Sequence, residues 1–258
     1  PEFLALAGAL PKGIALDGEI LAWKEDTPLP FAEMQKRIGR KTVGKKILAD
    51  VPVVFMVYDL LEFEGRDIRQ LPMSERRTLL ERVVKDAAQP NLLLSEVLHF
   101  DTWEELVAHR EAARIGAVEG IMLKRKTSTY EVGRRRGDWW KWKVDPLSID
   151  AVLTFSMQGH GRRADLYTDH TFGLWSDGKL VTFAKAYSGL TDAEMVAVDA
   201  FVKKNTIERF GPVRQVEPKL VFEIAFEGIS ASSRHKSGVA VRFPRIARWR
   251  HDKKAEEA

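Results

Sequence analysis

The texture of the sequence changes at Asp145-Pro146, and the residues beyond that point leave few folds open. Five strand-like segments come in series: "DAVLTFSMQ", "HTFGLW", "KLVTFAKAY", "LVFEIAFEGI" and "VAVRFPRIARW". They are rich in β-branched and aromatic residues, and Asp177-Gly178 between the second and third is a strong hairpin signal. A single helical segment, "TDAEMVAVDAFVKKN", separates the third from the fourth, with Thr191 and Glu194 at capping-box spacing. Five strands with one helix in that place predict a small Greek-key β-barrel of the OB type over residues 146–258.

Residues 1–145 alternate instead. "IALDGEILAW" and "VVFMVYDLLEF" read as strands, entered from Pro11 and Gly13 and from Pro52. "SERRTLLERVVKDAA" reads as a helix capped by Ser74, with Leu79, Leu80, Val83, Val84 and Ala87 at helical spacing. "DTWEELVAHREAARI" reads as another, with Thr102 and Glu105 spaced as a capping box and Trp103, Leu106 and Val107 facing inward. "EGIMLK" and "WWKWKV" are short strands on either side of a basic, Gly-containing loop. The fold class is therefore α+β: antiparallel sheets with helices, followed by the barrel.

At 258 residues, 45% hydrophobic and 30% charged, the chain can bury a core in each part. A formal charge of +4 permits an anionic partner without demanding one. The absence of cysteine rules out disulfides and thiolate-bound metal and fits a cytoplasmic protein. No apolar run reaches the length of a membrane span, and the opening "PEFLALAGALPKG" has no basic n-region of a signal peptide.

Several side chains invite chemistry, each beside a plainer reading. Glu19 projects from a strand next to Gly18; it can accept a ribose hydroxyl or help hold a cation, or be an exposed strand Glu beside a bulge. Tyr58 is a core aromatic or a flat ring on which a purine stacks, with Asp59 behind it or simply ending the strand. Strand alternation puts Glu119, Ile121 and Leu123 on one face and Lys124 on the other, so a regular strand does not bring Glu119 beside Lys124. Lys141 and Lys143 share a face, about 7 Å apart, as a phosphate clamp or as lysines guarding an edge strand. "VGRRRGD" and the denser "RFPRIARWRHDKK", with Arg242, Arg245, Arg248 and Arg250 ahead of Asp252-Lys253, are phosphate contacts or solvated basic stretches. No Gly-rich phosphate loop, nucleophile elbow or zinc-spaced His pair occurs, and His99, His160 and His235 are scattered.

In order, these motifs are more specific than any one alone. "LDGEIL", "FMVYDLLEFEGRDI", "EGIMLKR", "WWKWK", "EPKLVFEIAFEGIS" and "VAVRFPRIARWRHDK" together resemble the ATP-dependent DNA ligases of the covalent nucleotidyltransferase superfamily, from about Leu16 to Lys253. The resemblance implies an adenylation (nucleotidyltransferase) domain over residues 1–145 and an OB-fold domain over 146–258, hinged at Val144-Asp145-Pro146. It implies that Glu19 contacts the ribose, that Tyr58 stacks on adenine and that Glu119 helps hold the catalytic divalent cation, Mg²⁺ or Mn²⁺. Lys141 and Lys143 match the pair on the nucleotide α-phosphate; Arg250, Asp252 and Lys253 match the barrel motif that orients the pyrophosphate of ATP. The implied partner is nicked duplex DNA, bound by a monomer. One departure matters: no Lys-x-Asp-Gly occurs, because the place of the lysine is taken by Ala15 ahead of Asp17-Gly18 and by Trp175 ahead of Asp177-Gly178. The expectation is a carboxy-terminal part of a ligase that does not adenylate itself. A DNA-binding module without chemistry, or a relative of RNA ligases and mRNA capping enzymes, are the alternatives.

Overall fold

The computed structural model describes residues 2–113 and 118–258, and the chain divides into two compact units that meet between Val144 and Asp145. In the first, α1 (Phe3–Ala9) precedes β1 (Ala15–Lys24), β2 (Thr27–Pro28), α2 (Phe31–Gln35) and α3 (Lys45–Asp50). Then come β3 (Val53–Phe63), β4 (Arg66–Asp67), α4 (Met73–Ala87), β5 (Leu92–Leu94), α5 (Trp103–Ala112), β6 (Gly120–Lys124) and β7 (Trp139–Lys143). The main sheet runs β2-β1-β3-β4, with β5 also on β3. Its pairing departs from the all-antiparallel expectation, since β5 lies parallel to β3. The reason is α4, which carries the chain back across the sheet, as a parallel neighbour requires. Leu60, Leu80, Val57, Val83, Leu92 and Leu6 form the core between sheet and helices.

Helix α4 starts differently from the sequence reading. Its N-cap is Pro72, and Ser74 lies inside the first turn without capping it. The orphan amides are satisfied from elsewhere: Met73 N–H donates to Ser128 O (2.8 Å) and Ser74 N–H to Lys126 O (2.9 Å). At α5, Thr102 Oγ1 does accept from Glu105 N–H, but the Glu105 carboxylate accepts from Asp101 N–H, one residue early for a capping box. Leu106 is buried as expected; Trp103 is 63% exposed, against rings of Phe100 and Trp142 rather than the core. The expected continuation of α5 through Arg114-Ile115 falls outside the described residues.

The second unit is built on β8 (Leu147–Gln158), β9 (Tyr167–Ser176), β10 (Lys179–Ala186), α6 (Asp192–Lys204), β11 (Thr206–Phe210) and β12 (Val213–Val216). It ends with β13 (Val221–Phe226), β14 (Gly228–Ala231), β15 (Val239–Arg242) and β16 (Arg245–Trp249). Strand β8 is long enough to serve two neighbours on one edge, β13 along its first half and β12 along its second, while β9 takes the other edge. The β9–β10 turn uses Asp177 and Gly178 at φ +50° and +71°, the primed geometry their types favour. The five-segment reading needs three corrections, the first being that "LVFEIAFEGI" is two strands, since β13 ends at Phe226 and β14, paired with β15, begins at Gly228. The hairpin β11–β12 is additional to it, and "VAVRFPRIARW" is two strands, because Phe243 turns left-handed (φ +51°) and Pro244 has no N–H to pair. The curled sheet closes where Ile246 N–H donates to Ser188 O (3.0 Å). Next to that bond Gly189 has φ +113°, and a Cβ there would lie 1.8 Å from Ile246 O, so only glycine fits.

Helix α6 buries Val198 and Val202 against Phe172, Phe222 and Ile224 of the barrel. Its capping box is complete: Thr191 Oγ1 accepts from Glu194 N–H, and the Glu194 carboxylate accepts from Thr191 N–H (2.8 Å). Thr191→Ala should therefore cost about 1 kcal/mol, read as a lower thermal midpoint, with Thr191→Ser restoring it. No helix among the described residues is long and apolar enough to cross a membrane.

Candidate functional site

Strands β1 and β3 slip by one residue between Asp17 and Gly18. Asp17 stands opposite Asp59 and Gly18 opposite Val57, which leaves Tyr58 bulged out of the ladder. Gly18 permits this close approach, since a Cβ there would lie 2.4 Å from Met56 O. The bulge aims Tyr58 at Asp17, whose two oxygens accept from two phenols: Tyr58 Oη at 3.1 Å and Tyr130 Oη at 2.6 Å. Burial, then the Asp17 carboxylate, keeps both phenols protonated, Tyr130 being pushed up to about 12 and Tyr58 upward as well. Glu19, exposed on β1, is near enough to add to the effect on Tyr58.

Lys124 closes over this pair. Its Nζ lies 4.3 Å from the Tyr58 ring centre and 4.0 Å from that of Trp139, a cation between two aromatic faces. Burial pulls its pKa down to about 8, against the opposing pull of Asp59 and Asp17. Behind the rings, Arg76 forms a fully buried fork on Asp59, with Nε on Oδ1 at 2.8 Å and Nη2 on Oδ2 at 2.9 Å. Its Nη1 donates to Leu71 O and Ser128 O, so one guanidinium joins α4, β3 and the loop that carries Tyr130.

The β6–β7 hairpin supplies the cations. Its register pairs Gly120 with Lys143, Met122 with Lys141 and Lys124 with Trp139, so the three lysines share one face. The Trp140 and Trp142 positions take the other, where Arg110 lies over the Trp142 ring at 5.1 Å. Glu119 does not begin the strand or follow its alternation. It precedes β6, and its carboxylate lies 3.7 Å from Lys143 Nζ. Gly120 makes the bend with φ +138°, and a Cβ there would lie 2.3 Å from Trp142 O. Tyr58 and the Lys124–Trp139 end of the hairpin therefore meet beside Asp17, with Glu19 close enough to act on Tyr58, while Glu119 and Lys143 pair at the other end of the hairpin and Lys141 lies between. Asp17, Tyr130 and Arg76 carry no signal of a role in the sequence: Tyr130 meets Asp17 across 113 residues, with no local pattern to announce it.

In the second unit Arg250, Asp252 and Lys253 form one cluster. Arg250 Nη1 reaches Asp150 (2.8 and 3.0 Å), its Nε and Nη2 reach Asp252 (2.9 and 2.7 Å), and Lys253 Nζ reaches Asp150 (2.5 Å). Hydrogen bonds from Arg250 hold the Asp252 carboxyl well below its usual range, and Asp252 raises Arg250 in turn. In sequence, Asp150 is an ordinary position at the start of a strand-like run.

A divalent cation fits Glu119 only in one form. Among the described residues there is no group of three or more His, Cys, Asp or Glu side chains that could hold a metal ion. A single hard carboxylate is the donor set of a cation whose other ligands are ligand and water oxygens, not of a protein cage.

The sequence of residues 2–143 matches the family model of the ATP dependent DNA ligase domain, and residues 163–253 match that of the ATP dependent DNA ligase C terminal region. The chain belongs to the ATP-dependent DNA ligase family. A probable DNA ligase of Koribacter versatilis is 38% identical over all of this chain and 48% of its own length. A probable DNA ligase of Opitutus terrae is 40% identical over all of this chain and 28% of its own length. The chain thus spans half or less of these curated relatives. Among solved structures, one described as Pmar-Lig_Pre has a TM-score of 0.68 at 20% identity, covering 92% of this chain and 51% of that one. A structure from a study of DNA binding with a minimal scaffold in Lig E DNA ligases has a TM-score of 0.65 at 18% identity, covering 95% and 80%. Both share the fold: a mixed α/β unit and a curled antiparallel barrel.

Proposed function

We propose that this chain supplies the nucleotide-handling surface and OB barrel of an ATP-dependent DNA ligase, a monomer that seals nicked duplex DNA in the cytoplasm. In that reaction a lysine attacks the α-phosphate of ATP and expels pyrophosphate. AMP then passes from the lysine to the DNA 5′-phosphate, and the neighbouring 3′-hydroxyl attacks that phosphate and expels AMP. No Lys-x-Asp-Gly stands in this sequence, so the attacking lysine is not assigned to it.

The observation that carries the reading is the shared face of Lys124, Lys141 and Lys143, with Glu119 drawn to Lys143 and Tyr58 against Lys124. Two ammonium groups on one strand face neutralise charge that builds on an α-phosphate during in-line displacement. Tyr58, its hydroxyl tied to Asp17, offers a ring face to adenine, and Glu19 accepts from the ribose. Arg250 and Lys253 would hold the pyrophosphate while Asp252 steadies Arg250. Glu119 would hold the divalent cation, which when bound supplies Lewis-acid neutralisation of the phosphate oxygens.

The test is an ATP titration of the 258-residue chain by calorimetry with Mg²⁺ present. Tyr58→Ala should weaken binding roughly tenfold, the scale of one lost base stack, and Lys143→Ala should weaken it as well. Equal affinity in wild type and both variants would refute the assignment. Sealing of a 5′-phosphorylated nick by the protein that carries this chain should require ATP; sealing or capping driven by GTP would favour the capping-enzyme reading. Salt-sensitive nick binding with no nucleotide binding would favour the bare DNA-binding module.

A further inference from the structure

The terminal barrel motif is rich in cations, yet its charges are already answered. Arg250 and Lys253 both end on Asp150, and Arg250 presents its other edge to Asp252. Two cations against two carboxylates leave a formal charge of zero. The neighbouring pair is neutral too: Glu223 on β13, opposite Asp150 on β8, stands opposite Arg248 on β16 and accepts from its Nε and Nη2 (3.2 and 2.9 Å). A phosphate approaching this corner meets guanidinium groups whose hydrogen bonds are largely taken.

The two carboxylates differ in what they can do. The Asp252 side chain is 66% exposed and can move aside. That of Asp150 is 14% exposed, fixed in the barrel wall, and collects both cations on one carboxylate. Resting on the reading that Arg250 and Lys253 contact the phosphates of the nucleotide, we infer that Asp150 is a positioning residue and an internal competitor of polyphosphate. Its carboxylate keeps the two cations side by side and at the wall, and an incoming polyphosphate must take their hydrogen bonds from it. When pyrophosphate leaves, Asp150 recovers them, which favours release of the product over retention. Nothing in the local sequence announces this, since Asp150 precedes Arg250 by 100 residues.

Calorimetric titration of the 258-residue chain with tripolyphosphate tests it, using wild type, Asp150→Asn, Arg250→Ala and the double variant. A 5′-phosphorylated nicked duplex, titrated in parallel, separates nucleotide-like polyphosphate from DNA phosphate as the ligand. Asparagine keeps the size and one acceptor but removes the charge. The expected result is tripolyphosphate binding on the order of fivefold tighter in Asp150→Asn, the effect of one unit charge within about 4 Å in wet surroundings. The gain should vanish when Arg250→Ala is added and should not appear for the duplex. If Arg250→Ala weakens binding but Asp150→Asn leaves it equal or weaker, the inference falls and the phosphate reading stands. If Arg250→Ala changes nothing, the phosphate reading itself falls. A gain for the duplex alone, or no tripolyphosphate binding by any variant at millimolar concentration, also overturns the inference. Should Asp150→Asn not fold, NMR of wild type decides: the Arg250 Nη1–H and Lys253 Nζ–H signals, both from groups that donate to Asp150, must shift together during the titration, and a shift of only one overturns it.

Discussion

Arg76→Ala is expected to lower the stability of the first unit by about 3–5 kcal/mol, the range for breaking a buried ion pair from one side. The side chains of Arg76 and Asp59 are 0% and 1% exposed, so water cannot replace the lost fork. Asp59 would keep a single hydrogen bond, from Leu60 N–H, for a charge the interior cannot solvate. In the same step the Leu71 carbonyl would lose the guanidinium donor, and the Ser128 carbonyl would be left with Met73 N–H. The loop around Ser128 also caps α4 through its backbone, so the loss should spread to Tyr130 and from there to Asp17 and Tyr58. Urea denaturation gives the free energy, and hydrogen exchange should show α4 amides opening first. Arg76→Lys should recover little, because an ammonium cannot make the planar fork. Arg76→Met with Asp59→Leu should recover much of the loss, because no charge remains unpaired. A loss under 1 kcal/mol for Arg76→Ala would mean that the pair is not what holds β3, α4 and the loop together.

That pair also marks the limit of what the sequence discloses. Local periodicity and turn chemistry are enough for β3, for α6 with its complete box at Thr191, and for the Asp177-Gly178 hairpin, because each is decided by residues a few positions apart. The shared face of Lys141 and Lys143 is likewise a consequence of strand alternation. The errors arise where distant groups override the local signal. Ser74 looks like a cap, but carbonyls of residues 126 and 128 arrive from elsewhere and make a side-chain cap unnecessary. Glu119 looks as though it faces away from the lysines, but Gly120 adopts a backbone angle closed to other residues and turns the chain. Asp17, Asp59 and Asp150 carry the densest polar contacts of the two clusters, and in one dimension each is an aspartate within an ordinary strand. Motif order identifies the chemistry a family shares; the residues that hold that chemistry in position depend on contacts between distant segments.

Acidification should destabilise the barrel through His170 before its carboxylates begin to protonate. The ring is 2% exposed on β9, with Nδ1 2.9 Å from Ser156 Oγ on β8 and the edge of Phe172 packed nearby. Among the described residues Nε2 has no hydrogen-bond partner. Either tautomer leaves one ring nitrogen unmatched, and a protonated ring would bring a charge into the wall with no anion to meet it. Burial accordingly pulls the pKa from 6.5 down to about 4. Between those values the unfolded chain binds a proton that the folded chain refuses, so stability rises with pH across the window. His170 makes its full contribution above pH 6.5, and that contribution is lost as pH falls through about 4. The shift corresponds to about 3 kcal/mol. Urea denaturation at half-unit steps from pH 7 to pH 4 should show this slope, and His170→Gln, which cannot titrate, should flatten it. Above about pH 5 the slope is free of these carboxylates: Glu194 and Asp252 have lowered pKa values, so their contributions start to fall only as pH enters the ordinary carboxylate range, at the acid end of the His170 window. A slope between pH 6.5 and 5 that survives in His170→Gln would assign the acid sensitivity to another group and leave the buried ring a neutral packing element with no part in it.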